Sequence, residues 1–139
     1  MSDFTTQLAA VCSLLNREGA RYVVMGARAL QLWGCVRATR DIALLIEPTV
    51  PNAGRVLGAL RQSGLGLARE WLADAVASRA VTVLGASPRV DILTAAGSVR
   101  YEEAAAEART FEIEGVAIPV ASIDHLIAAE PTREVSGKR

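Results

Sequence analysis

Apolar residues recur at helical spacing in the first segment of the chain. Over Phe4 to Arg17, the positions Leu8, Val11, Cys12 and Leu15 fall on one helical face, and Gly19 stands where a C-cap belongs. Tyr22 to Met25 is a short β-branched run ending at Gly26, which predicts a strand. Ala27 to Trp33 then predicts a helix stopped by Gly34, and Cys35 to Arg40 a polar, arginine-rich connection. The clearest strand is Asp41 to Glu47 (DIALLIE), ended by Pro48 and Pro51. Asn52 is placed as the N-cap of a helix through Gln62, which Gly64 closes. Trp71 to Ala77 fits neither period well. Ala80 to Leu84 and Arg89 to Thr94 read as strands joined by a turn over Gly85 to Pro88. Ser98 to Ala108 reads as a helix capped by Ser98, with Glu102 one position late for a capping box. Phe111 to Glu114 and Val116 to Val120 flank Gly115 as a hairpin, and Ser122 to Ala129 predicts a last helix.

This order predicts an α/β (α+β) fold: a twisted mixed sheet flanked by helices, in one domain over residues 1–130, followed by a polar tail over 131–139. Two consecutive strands with no helix between them argue against a doubly wound parallel sheet.

Composition narrows the function classes. The 139 residues suffice for one domain with its own core. Acidic and basic residues balance at 15 each, so no global attraction to a polyanion is expected and nucleic-acid binding would need a local patch. No apolar run approaches the roughly 20 residues of a membrane helix, and the polar start MSDFTTQ is unlike a secretory signal. A cytoplasmic protein with no membrane contact is therefore expected. Cys12 and Cys35 are expected to be buried and reduced, and with His125 as the single histidine a zinc site is not expected.

Three features carry candidate chemistry. In the strand DIALLIE, alternation puts Asp41, Ala43, Leu45 and Glu47 on one face and Ile42, Leu44 and Ile46 on the other, which must be core. Asp is depleted in strands, so Asp41 is either a solvated strand end paired to Arg37 or Arg40, or a ligand. Asp91, within RVDILT, shares a face with Arg89 and Leu93; it is either an ion-pair partner of Arg89 or a second ligand. If the two strands are neighbours, both carboxylates converge, and converging carboxylates repel unless a cation separates them. Oxygen ligands of that kind suit Mg²⁺ or Mn²⁺. Gly26 and Ala27 stand between a strand and a helix; they are either a plain turn or a phosphate cradle of backbone N–H groups. Arg37 and Arg40 flank this region and either bind phosphate or pair with Asp41 or Glu47. Trp33 and Trp71 read as packing residues, His125 as a solvated helix residue, and Glu102 and Glu103 as a solvated helix face.

Taken together, the string YVVMGARALQLWGCVRATRDIALLIE resembles the nucleotidyltransferase superfamily, which includes polymerase beta and small bacterial nucleotidyltransferases. The stretches RATRDIALLIEP and FEIEGVAIPVASIDHLIA are similar to the small bacterial members, so the resemblance spans Tyr22 to Ala129. It implies that Gly26 and Ala27 hold the glycine-motif positions and bind triphosphate. Asp41 would then be the first acid of an Asp-x-Asp pair and Asp91 the third acid, with both ligating Mg²⁺ or Mn²⁺. The chain departs from the family pattern at three places. Ala43 stands where the second acid is expected, Ala27 where Gly or Ser is usual, and Glu130–Pro131 where a Lys and a longer helix often follow.

Two-metal transfer needs bridging carboxylates to hold the ions about 3.5–4 Å apart. Ala43 therefore leads to the expectation of a nucleotide-binding protein whose metal-dependent transfer is impaired or lost. The rivals are an active Mg²⁺-dependent transferase moving a nucleotide to an unidentified hydroxyl acceptor, and a non-catalytic protein-interaction module. The apolar hairpin Phe111 to Val120 also suits a homodimer or a protein partner.

Overall fold

The computed structural model describes residues 3–36, 39–64, 71–85 and 89–130. Its elements are α1 (Asp3–Arg17), β1 (Tyr22–Met25), α2 (Gly26–Leu32), β2 (Ile42–Ile46), α3 (Val50–Gln62), α4 (Ala73–Ser78), β3 (Val81–Leu84) and β4 (Val90–Leu93). These are followed by β5 (Ala95–Ala96), β6 (Val99–Arg100), α5 (Tyr101–Ala106), β7 (Arg109–Ile113), β8 (Val116–Val120) and α6 (Ile123–Ala129). Six strands form one mixed sheet in the order β3-β4-β2-β1-β8-β7, and β5 and β6 form a separate two-stranded ribbon. The expected mixed sheet with flanking helices is thus present. The predicted tail, 131–139, lies outside the described residues. Among the described residues, no helix is long and apolar enough to cross a membrane.

β2 is central. It runs antiparallel to β1 and parallel to β4, with Leu44 opposite both Val24 and Ile92. Leu44, Leu45 and Ile46 are all fully buried. The expectation that only the Ile42–Leu44–Ile46 face is core is corrected at Leu45, because both faces of β2 are covered at that level, as in parallel-type strands flanked on two sides. On α1, the predicted stripe Leu8, Val11, Cys12 and Leu15 is buried, with Cys12 against Tyr22 of β1. α3 packs on α1 through a face that includes Ala53, Val56, Leu57 and Leu60.

Helix ends account for most boundary differences. α3 starts at Val50 because Thr49, not Asn52, is the N-cap; the Thr49 hydroxyl accepts the Asn52 N–H at 3.3 Å. Asn52 is instead fully buried. Its Nδ2 donates to Arg21 O at 3.0 Å and Glu47 O at 2.9 Å, and its Oδ1 accepts the Arg21 N–H at 2.7 Å. One amide thereby ties the start of β1 to the end of β2. The ambiguous 71–77 segment contributes α4 from Ala73. The predicted helix over 98–108 is corrected to a β6 strand followed by a shorter helix. Gly97, at φ +60°, turns the β5–β6 ribbon, and Glu103 accepts the Arg100 N–H at 3.0 Å to start α5. The β7–β8 hairpin turns through Glu114 and Gly115, both at positive φ, as a two-residue turn of that hand requires.

Cys12 is buried and Cys35 is exposed, which corrects the expectation that both are buried; both are free thiols. Burial pushes the Cys12 thiol from 9.0 up to about 12. A raised pKa on an acid stabilises the fold below the unfolded value and loses that contribution as pH rises through the folded value. Stability should therefore fall progressively between pH 9.0 and about pH 12, in part through Cys12. The Cys12→Ala variant should show a shallower loss over that window in denaturant titrations. Asn52→Ala should cost about 2–4 kcal/mol, since it leaves buried backbone groups of Arg21 and Glu47 unpaired. Equilibrium unfolding of the variant against the wild type measures this.

Candidate functional site

The sheet pairings place the sequence-derived site residues in one row. Met25 of β1 is opposite Ala43 of β2, Ala43 is opposite Asp91 of β4, and Asp91 is opposite Val83 of β3. Because side chains alternate, these four share one face of the sheet. Gly26 follows Met25 directly and turns the chain into α2 at φ +70°; a Cβ there would lie 3.4 Å from Ala43 Cβ. The glycine turn, Ala43 and Asp91 are therefore consecutive neighbours across three strands.

Asp91 is half-buried, and its partner is Arg89. Two residues apart on one strand, they point to the same side. Arg89 Nε donates to Asp91 Oδ1 at 2.8 Å and Arg89 Nη2 to Oδ2 at 3.2 Å, the paired fork that guanidinium and carboxylate geometry favours. That hydrogen bonding, the Asp91 charge and then the Asp41 charge hold the Arg89 guanidinium above its usual range. Asp41 is exposed and sits just before β2, where the Ile42 N–H donates to Arg89 O at 2.9 Å. Its own N–H donates to Thr39 Oγ1 at 3.0 Å. The ion-pair alternative for Asp91 is the arrangement observed.

Arg28 went unnoticed in the sequence. It is one of the largest fully buried side chains, 2% exposed, and its Nη2 donates to Arg40 O at 3.5 Å. Burial pulls its guanidinium below the usual range, opposed by Cys12 and by Asp41. Alternation along α2 gave no sign of it, because an arginine on a seven-residue helix reads as solvated until the neighbouring elements are in place. Arg40 is exposed, with its backbone carbonyl turned to Arg28. Arg37 lies outside the described residues. Glu47 pairs with Arg21 at 3.1 Å.

Beside the row is a pocket of about 130 Å³ lined by Met25, Gly26, Leu30, Ala43, Leu126 and Glu130, among others. Its wall is mostly apolar, and Glu130, just after α6, is among its lining residues. An apolar cavity of roughly 150 Å³ holds a benzene ring, so this one has room for about one ring and not for a whole nucleotide.

The donor set does not fit a pair of divalent ions. Position 43 offers a methyl group, both oxygens of Asp91 are engaged by Arg89, and no group of three or more His, Cys, Asp or Glu able to hold a metal occurs among the described residues. Other sequence readings change as well. His125 is half-buried with its Nδ1 enclosed and without a hydrogen-bond partner, so it is not a solvated residue. Trp33 is a packing residue, as read: its Nε1 donates to Ala121 O at 2.9 Å and its ring meets Phe111 edge-on.

None of the protein-family models, curated proteins or solved structures compared with the chain matches it. The resemblance to nucleotidyltransferases therefore rests on the motif residues alone.

Gly26→Ala should destabilise the fold by about 1–2 kcal/mol, because an L side chain is strained at positive φ. Gly26→Asn should cost less, since Asn tolerates that region. Chemical denaturation of the two variants separates this conformational cost from crowding at Ala43.

Proposed function

We propose that this chain is a nucleotidyltransferase-type protein that keeps a nucleotide-binding cleft and has lost metal-dependent transfer. The observation that carries this reading is the register setting Ala43 between Met25, which leads into Gly26, and Asp91. The position of the second acid falls at the centre of the motif, and its side chain there is a methyl group. The pocket beside it accommodates one ring, which suits a nucleobase, with the phosphates lying outside near the arginines at the start of β2 and β4. Gly26 and Ala27 would approach the phosphates through backbone. Glu130 in the lining disfavours a phosphate inside the pocket, which suits a base there instead.

A second reading, a non-catalytic interaction module pairing with another protein or a second copy, is favoured by the β3 edge. Val81 and Val83 are exposed there, and no charged residue interrupts the strand. The β7–β8 hairpin offers less for such contacts, since Ile118 and Val120 are buried.

Calorimetric titration with each nucleoside triphosphate, with and without Mg²⁺ or Mn²⁺, tests the proposal. The expected result is nucleotide binding that does not require the metal, together with no release of pyrophosphate. Metal-dependent pyrophosphate release would establish an active transferase instead. Absence of binding under every condition would leave the interaction module as the reading to pursue.

A further inference from the structure

We propose that Arg89 is a built-in counter-ion that holds, against Asp91 and Asp41, the place a divalent cation would need. This rests on the placement of the site just described, and it goes beyond the loss of one acid at Ala43. Two separate features, the missing carboxylate and the present guanidinium, each weaken the hold on a metal.

Asp41 and Asp91 belong to the starts of β2 and β4, neighbouring parallel strands, so both sit at the same end of the sheet. Carboxylates brought together in this way raise each other's proton affinity unless positive charge lies between them. Arg89 supplies that charge from within β4's own lead-in. Its Nε and Nη2 engage both oxygens of Asp91 at 2.8 and 3.2 Å. Its carbonyl accepts the Ile42 N–H at 2.9 Å, which fixes its backbone beside Asp41. Asp41 has a second guanidinium, that of Arg28, within electrostatic reach. A planar fork satisfies a carboxylate in a way a hydrated metal would have to displace. The acids are thus neutralised by the chain itself, and restoring an acid at position 43 does not by itself make a metal site.

Uptake of Mn²⁺, followed by the electron paramagnetic resonance of the free aqua ion and without nucleotide, tests this on four proteins: wild type, Ala43→Asp, Arg89→Gln and the double variant. The double variant should bind Mn²⁺ roughly tenfold more tightly than Ala43→Asp alone, the order expected for removing an adjacent unit charge. Arg89 is 48% exposed, so Arg89→Gln keeps the fold and provides a test free of any change in the pocket wall; it should take up more Mn²⁺ than wild type. Equal affinity of Ala43→Asp and the double variant would overturn the proposal. So would Mn²⁺ uptake by Arg89→Gln no greater than that of wild type. The nucleotide titrations of the wild type decide the functional reading separately, so failure of one is distinguishable from failure of the other.

Discussion

The shared register of β2 with both its neighbours is the constraint on which the rest of the structure depends. One strand is antiparallel to β1 on one side and parallel to β4 on the other, and its residues are buried from Leu44 to Ile46. A slip of one residue in either pairing would send Ala43 to the opposite face and bring Leu44 or Ile42 into the row with Asp91. Burial on both faces at Leu45 makes such a slip costly in either direction. Asn52 reinforces the register at the far end of β1 and β2 by satisfying backbone groups of Arg21 and Glu47. The site end of the same strands needs no such clamp, because Gly26 turns sharply into α2 and the Ile42 N–H is held by Arg89 O.

Much of this was legible in the sequence, for identifiable reasons. β-Branched runs marked β1, β2, β3, β4 and β8, and the fourfold stripe on α1 identified its buried face. What escaped was decided by tertiary contacts. Asn52 carries the signature of a helix cap, but the hydroxyl of Thr49 takes that role and leaves the amide to be buried. Ser98 resembles a cap, yet the following Val99 and Arg100 pair with Ala95 and Ala96 to make a ribbon. Residue type alone did not separate the two thiols, because Cys35 follows the α2 C-terminus and is exposed. Asp41, Ala43, Gly26 and Asp91 were singled out as candidates in the sequence, and the pairing of β2 with β1 and with β4 brings them to one end of the sheet. The burial of Arg28 was not legible, since it depends on α1, α2 and the approach to β2 meeting around one side chain.

Electrostatics give the site a different character from that of a metal centre. In a two-metal transferase, a surplus of carboxylates is neutralised by ions that also bind substrate phosphate. Here the carboxylates are fewer and the cations are guanidinium groups fixed to the chain. Such a site does not polarise a reacting phosphate in the same way, although arginine can still hold one. Nothing about the packing of β1, β2 and β4 requires an acid at position 43.

The pocket wall supplies the physical reason that Ala43 and Arg89 belong together. Position 43 faces a lining that includes Met25, Leu30 and Leu93, with Leu126 and Ala129 from α6. A carboxylate introduced at position 43 would lose solvent against that apolar wall, and Arg89 is already committed to Asp91. Conversely, an arginine that neutralises Asp91 is compatible with an uncharged neighbour and would compete with a metal if an acid were present. A neutral wall and a self-neutralised acid are therefore two halves of one electrostatic arrangement.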